Sequence, residues 1–330
     1  MAISSGLGSS ALLPAGLGFR NVLINGDFKV WQRGTSTTGY AYSADRWLAY
    51  QAAGVNTISR QSTSLNGFPY CARVQRNNGA TNTGATYLVQ AVESINGYQF
   101  QGKTATLSFW ARAGANFSST GSVLTANIET STGTDQSYIA AWAGGVAIPS
   151  SKTLTTSWQL FTVTGVVPSN ANQVAVAFTY TPTGTAGAAD YFEITGVQLE
   201  QNYQPTPFEQ RPIGTELALC QRYYWRTVYN GTSNTLLNGT GNAYSASSQI
   251  NLFMLHPVPM RTIAATLESA NIGASDLSTA DSGAASVVSG FPGNSSVFGT
   301  RVRLTATTSW TGPAFPIVFS GGYFALGAEL

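Results

Sequence analysis

Hydrophobic and polar residues alternate with a period of two along most of this chain, the pattern of strands with one buried face. The clearest case is Thr104–Arg112, where Ala105, Leu107, Phe109 and Ala111 face one side while Thr104, Thr106, Ser108, Trp110 and Arg112 face the other. Further strands are predicted at Ser122–Glu129, Ser137–Trp142, Ser157–Val166, Gln173–Tyr180 and Tyr191–Leu199. Asn-Gly pairs at 25–26, 66–67, 78–79, 96–97, 230–231 and 238–239 suit tight hairpins between such strands. The prolines at 205, 207 and 212 close this run, and Thr215 then predicts the start of one short helix through Glu216–Tyr224. Glu216 in the first turn suits the helix dipole, and Leu217, Cys220 and Tyr224 share a face. β patterning resumes at Trp225–Tyr229, Ser247–Met254, Arg301–Thr307 and Ala314–Phe319, with a Ser-, Ala- and Gly-rich stretch at 265–300 read as strands and long loops.

The expected fold is therefore all-β. A β-sandwich spans residues 21–209, a connecting segment with the helix spans 210–225, and a second, smaller β domain spans 226–330. Residues 1–20 are rich in Gly, Ser, Ala and Leu, too apolar for a flexible linker and too glycine-rich for a stable helix. They are expected to act as an arm docking on neighbouring subunits or a larger assembly.

Composition narrows the function. Only 9% of the 330 residues are charged, and the net charge is +2, so no electrostatic footprint for nucleic acid or an anionic membrane exists. No apolar run reaches 18 residues, so membrane insertion is not expected, and the N-terminus lacks a secretory signal. A weakly charged surface is typical of a subunit packed among its copies, which favours a homo-oligomer. Cys71 and Cys220 read as buried free thiols from a reducing compartment.

Catalytic motifs are missing: no Gly-x-Ser-x-Gly elbow, Walker loop or His-Glu-x-x-His. The single histidine, His256, sits before Pro257 and reads as structural. Asp190, Glu193 and Glu200 are close enough in sequence to suggest glycan hydrolysis, but Asp190 and Glu193 fall on opposite strand faces. The chain is expected not to be an enzyme. Sugar binding is the sharper candidate, because flat rings stack on pyranose faces while polar groups meet hydroxyls. Trp110, Arg112, Tyr138 and Trp142 are the candidate residues; packing beneath a loop or against another subunit is the alternative for Trp110.

Three blocks carry a family resemblance: Asn21–Arg33 closing at Ala44-Asp45-Arg46-Trp47; Leu107–Ala113 with Leu154–Phe161; and Asp190–Glu200 running into Pro205–Pro212 and Glu216–Tyr224. The first resembles the opening strand of carbohydrate-binding jelly-roll modules, and the set, with His256–Arg261, resembles bacteriophage tail-fibre and related virion proteins. The resemblance implies that Val22–Phe28 pairs with Tyr191–Leu199. It implies a virion structural protein assembled in the bacterial cytoplasm, trimeric, attached to other virion proteins through residues 1–20 and contacting host surface glycan. A capsid decoration protein or head fibre is the alternative, and a polysaccharide-degrading tailspike a further one, although β-helix repeats are missing. Such jelly rolls often hold a structural calcium ion. Here Phe28 is followed by Lys29 where the related motif has an acid, leaving Asp27 and Asp190 as candidate ligands and otherwise no cofactor.

Overall fold

The computed structural model describes residues 19–52, 54–226, 240–243, 249–263, 266–270, 277–279, 285–290, 296–306, 315–319 and 323–330. The N-terminal unit is built from β1 (Ser36–Thr38), β2 (Ala41–Tyr42), β3 (Leu48–Gln51), β4 (Asn56–Ser62), β5 (Tyr70–Arg76), β6 (Thr86–Ala91) and a helical turn, α1 (Ser94–Gly97). It continues through β7 (Thr104–Ala113), β8 (Val123–Ser131), β9 (Gly144–Ile148), β10 (Ser151–Thr153), β11 (Gln159–Val166), β12 (Gln173–Tyr180) and β13 (Tyr191–Glu200). These strands form two antiparallel sheets. The first has the order β1-β4-β5-β13-β7-β11; the second runs β10-β8-β12-β6-β3-β2, with β9 beside β8. The chain is an all-β protein whose first unit is a jelly-roll β-sandwich.

Alternation fixes which side chains fill it. Ala105, Leu107, Phe109 and Ala111 of β7 are fully buried between the sheets with Val174, Val176 and Phe178 of β12 and Leu124, Ala126 and Ile128 of β8. Phe109 meets Phe178 edge-on at 4.8 Å, and Trp47 lies 5.2 Å from Phe28. Of the Asn-Gly pairs within the described residues, only 66–67 closes a hairpin, between β4 and β5. Pair 96–97 lies in α1, and 78–79 follows β5. Pairs 230–231 and 238–239 lie outside the described residues, as does the arm apart from Phe19 and Arg20.

Two expectations are corrected. Val22–Phe28 does lie beside β13, but it is not a regular strand, because Asn25 (φ 57°) and Phe28 (φ 54°) turn the backbone left-handed. Two backbone bonds join it to β13, Val22 N–H to Leu199 O at 3.0 Å and Val197 N–H to Gly26 O at 2.9 Å. The Asn21 amide replaces the missing rungs: it donates to Val197 O and accepts from the Leu23 and Leu199 N–H groups. Gly26 is needed for this approach, since a Cβ there would lie 2.1 Å from Val197 O. Similarly, Ser137–Trp142 is a turn rather than a strand, closed by the Ala141 N–H donating to Ser137 O.

The helix, α2, covers Ile213–Gln221, two residues before the expected cap. Pro212 precedes it, its carbonyl accepting from the Thr215 and Glu216 N–H groups, so Thr215 lies inside the helix. Glu216 reaches outward to the Asn25 N–H and to Arg211, and Tyr224 already belongs to a strand.

The C-terminal strands are β14 (Tyr224–Arg226), β15 (Thr240–Ala243), β16 (Gln249–Leu255), β17 (Thr266–Ala270), β18 (Leu277–Thr279), β19 (Ala285–Gly290), β20 (Gly299–Ala306), β21 (Phe315–Phe319) and β22 (Tyr323–Gly327). They form a three-stranded sheet, β14-β22-β17, and a six-stranded one, β18-β21-β15-β16-β20-β19. The last residues return to the jelly roll. Glu329 pairs with Arg33 and Arg46, the Tyr42 hydroxyl donates to Leu330 O at 2.6 Å, and Arg46 lies over the Tyr223 ring. His256 is held through both ring nitrogens, by Val297 O and Thr300 Oγ1, as a structural histidine would be.

Asp45, in this junction, accepts from the Gln32 backbone and side chain. Burial outweighs these bonds and pushes its carboxyl up to about 6. The folded protein thus holds this proton more tightly than the unfolded chain, where a carboxyl titrates near 4. Stability from this group is present below about pH 4 and lost as pH rises through about 6, a change of about 2–3 kcal/mol. Urea denaturation from pH 4 to 7 should show this decline relative to Asp45→Asn, which lacks the titration.

Candidate functional site on the two outer sheet faces

The four sugar-binding candidates do not come together. Trp110 and Arg112 lie on the outward face of β7, in the first sheet, whereas Tyr138 and Trp142 lie on the β8–β9 connection, outside the second. Tyr138 and Trp142 pack 5.4 Å apart against a cluster containing Ala91, Ala175, Cys220 and Tyr223. The Tyr138 hydroxyl donates to Glu129 at 3.0 Å. Their position is that of packing residues closing one end of the second sheet's face.

That face carries aromatic residues that single-strand reading misses. Strand register puts Tyr50, Tyr87, Thr179 and Thr125 in one cross-strand row, and Val89, Ala177 and Asn127 in the next. Tyr50 and Tyr87 stack at 4.4 Å with an interplanar angle of 3°, and Tyr40, 63% exposed, extends the run 6.1 Å from Tyr50. Between this aromatic wall and the polar wall of β8, strand β12 presents Ala175, Ala177 and Thr179, with Gln173 at its start. Two strand spacings separate the walls by roughly 10 Å, and the shallow trough between them is open only at the Thr179–Thr125 row, since Ala175, Ala177 and Val89 are covered.

The polar wall is chemically unusual. Asn127 is buried, and its Oδ1 has no hydrogen-bond partner. That oxygen is sealed from solvent, so the unmet acceptor is a cost carried by the fold itself. Neighbouring Glu129 is raised above the usual carboxylate range by burial, which outweighs the hydrogen bonds from Tyr138 and Asn127. The Glu129 end is closed by Tyr138 and Trp142; the row with Thr125 and Thr179, both half-buried, remains accessible. Tyr50 and Tyr87 were separable from core residues in the sequence only by the alternation around them.

On the opposite face, Glu193 is fully buried between two guanidinium groups, Arg112 donating from Nε at 2.6 Å and Arg73 from Nε and a terminal nitrogen at 2.8 and 2.6 Å. Trp158 lies under Arg112 and Tyr191 under Arg73. Trp110 is half-buried and floors an adjoining cleft.

The candidate calcium ligands do not converge. Asp27 pairs with Lys29, while Asp190 lies seven residues, roughly 20 Å, up β13 from Asp27's neighbourhood at Val197. Asp190 accepts from Arg76 at 2.9 Å and from the Ser118 N–H and hydroxyl. Arg76, fully buried, also donates to the carbonyls of Ala80, Asn82 and Gly184. A carboxylate and three carbonyls are an oxygen cage suited to a hard cation, and here a guanidinium fills it. Among the described residues no cluster of three His, Cys, Asp or Glu could hold a metal. Cys71 and Cys220 are buried free thiols, Cys71 pushed up to about 12 by burial.

The chain matches no known family profile and no curated protein sequence. Solved structures with which it shares limited similarity include the enzymatically active domain of bacteriophage CBA120 tailspike protein 4, at 14% identity over 56% of this chain, with a TM-score of 0.35. This chain spans 22% of the length of that one. A CBM4 structure aligns over 54% of this chain and 98% of its own, at 18% identity and a TM-score of 0.34. The CBM22-2 xylan-binding domain of Paenibacillus barcinonensis Xyn10C aligns over 50% and 99%, at 14% identity and a TM-score of 0.33.

Replacing Arg76 by Met should destabilise the jelly roll by about 3–5 kcal/mol, because Asp190 would be left as an uncompensated buried charge. Chemical denaturation measures this directly. Calcium or a chelator should leave the wild-type midpoint unchanged, since the cage is already filled.

Proposed function

We propose that this chain is a glycan-binding structural protein of a phage particle, of the tail-fibre type, whose jelly roll engages sugar through the outer face of its second sheet. The observation that carries the binding reading is the stacked, half-buried Tyr50–Tyr87 pair, continued across the sheet by the half-buried hydroxyl residues Thr179 and Thr125. A pyranose complements such a row: apolar ring faces for the tyrosines and hydroxyls for Thr179 and Thr125. The particle reading rests on the sequence resemblance of the three blocks to virion proteins. It makes the chain a homotrimer held in the virion through residues 1–20.

Binding without hydrolysis is the reading the carboxylates support. Asp190 is committed to Arg76 and Ser118, Glu193 to Arg73 and Arg112, and Glu200 accepts from Thr206 and Gln198. None of these is arranged with a second carboxylate across an open site, as glycoside hydrolysis requires.

Isothermal titration of the full chain against neutral oligosaccharides prepared from bacterial surface polysaccharides tests the reading. Tyr87→Ala should weaken binding about tenfold, the loss expected for one stacking ring, while leaving the thermal midpoint within a few degrees. Unaltered affinity in Tyr87→Ala and in Tyr50→Ala would remove the trough from consideration.

A further inference from the structure

The opposite face of the sandwich holds a second arrangement, unconnected to the trough. Strand β13 bulges between Thr195 and Gln198, and Gly196, at φ 61°, occupies the bulge. A Cβ at Gly196 would lie 2.8 Å from the Phe68 ring and 3.2 Å from Trp110. The missing side chain therefore lets the two rings approach over the bulge. Bulges re-aim side chains in this way and are frequent beside functional sites. Around Trp110 lies a cleft of 460 Å³, within the range of small-ligand sites, walled by Phe68, Leu160, Pro205 and Phe208. Phe68 and Phe208 brace each other edge-on at 5.3 Å. Ser108 completes the floor. Among the described residues, neither the Ser108 hydroxyl nor the Trp110 indole N–H has a hydrogen-bond partner, and neither atom is sealed from solvent.

The Pro205–Phe208 segment covers the side of the cleft where Thr206 and Glu209 bond to Gln198. On the other side, one register step beyond Trp110, comes the row Arg73, Glu193 and Arg112. A single carboxylate is shared by two guanidinium groups, so this row is net positive. Arg112 spends only Nε on Glu193, leaving both terminal nitrogens available, and its side chain is 29% exposed. Arg112 stands two residues from Trp110, roughly 7 Å along the strand. Glu193 on one side and the Trp158 ring on the other fix its orientation. A planar guanidinium held in place with its fork free is suited to bidentate capture of a carboxylate.

We propose that the Trp110 cleft is a separate binding site for a carboxylated sugar unit, with the pyranose stacked on Trp110 and its carboxylate on Arg112. The site differs from the trough in sheet, in residues and in ligand charge, and stands whether or not the trough binds neutral glycan.

The test titrates the full chain with a panel of uronic-acid oligosaccharides, and with neutral oligosaccharides of the same length and linkage. At least one uronate should bind at least tenfold more tightly than its neutral counterpart, with the advantage shrinking as salt rises from about 50 to about 500 mM. Trp110→Ala should lose tenfold or more toward that uronate. Arg112→Gln should bring uronate affinity down to the neutral level without altering neutral binding. It leaves Glu193 paired with Arg73, and an unchanged circular-dichroism melt confirms that the sheet persists. Tyr87→Ala should leave uronate binding intact, which separates this site from the trough. The proposal is overturned if no uronate outperforms its neutral partner, if Arg112→Gln retains the preference, or if uronate binding follows Tyr87 in place of Trp110.

Discussion

The interaction on which the structure depends is the capture of the opening segment by side chains distant in sequence. Residues 21–30 follow an irregular path, and irregular backbone inside a sandwich is tolerated only when its polar groups find partners. Asn21 and Asn25 supply them from within: the Asn25 amide donates to Val30 O and Asp45 O and accepts from the Val30 N–H. Arg211, after β13, donates to the carbonyls of Asn21 and Leu23, and Glu216 accepts from the Asn25 N–H. Thus secured, the segment sends Leu23 and Phe28 into the sandwich core and Ile24 and Val30 into the cluster that seats α2 and Leu330. One stretch of chain therefore belongs to two cores. Neither the helix nor the C-terminus could dock as it does without it.

This arrangement changes the meaning of the low charge content. A scarcity of Lys, Arg, Asp and Glu first suggests a surface buried among subunits. Among the described residues, however, many of the carboxylates are internal. Of the 14 carboxylates, Asp27, Asp45, Glu93, Glu129, Asp190, Glu193, Glu200 and Glu216 are all buried. Several are matched to arginine: Asp190 to Arg76, Glu193 to Arg73 and Arg112, Glu93 to Arg222. Buried pairs of this kind contribute little net stability but penalise any arrangement that separates them. They act here as register marks joining strands and segments distant in sequence, while Ser, Thr and Asn take over the solvated faces.

How much was legible beforehand follows from the same physics. Strands with a simple two-residue period, such as β7 and β12, are readable because each residue's environment is set by its own parity. The opening segment defeats that reading. Its apolar spacing resembles a strand, yet two left-handed residues and the Asn21 amide override it, and nothing local announces the Arg211 partnership 190 residues away. Tyr138 and Trp142 fail for a related reason, since a polar turn and a half-buried strand share the same composition. The Tyr50–Tyr87 row could not be found from either strand alone. It exists because β3 pairs with β6 across an intervening hairpin that belongs to the other sheet.

Both outer faces depart from the ordinary economy of a sandwich near the positions argued to bind. On the second sheet the departure is chemical: an amide oxygen buried without a partner beside alanines, where a larger apolar residue would fill the space and remove the penalty. On the first it is geometric, a glycine bulge that interrupts the ladder and removes a side chain beneath two aromatic rings. Elsewhere in the jelly roll, local propensity, alternation and packing agree, as they do at β7 against β12. The Asn127 oxygen is one of several such buried atoms, Ser43 Oγ and Asn56 Oδ1 among them. The Gly196 bulge, by contrast, lies beside the solvent-facing cleft around Trp110, so of the two departures the geometric one leaves an opening a ligand can enter.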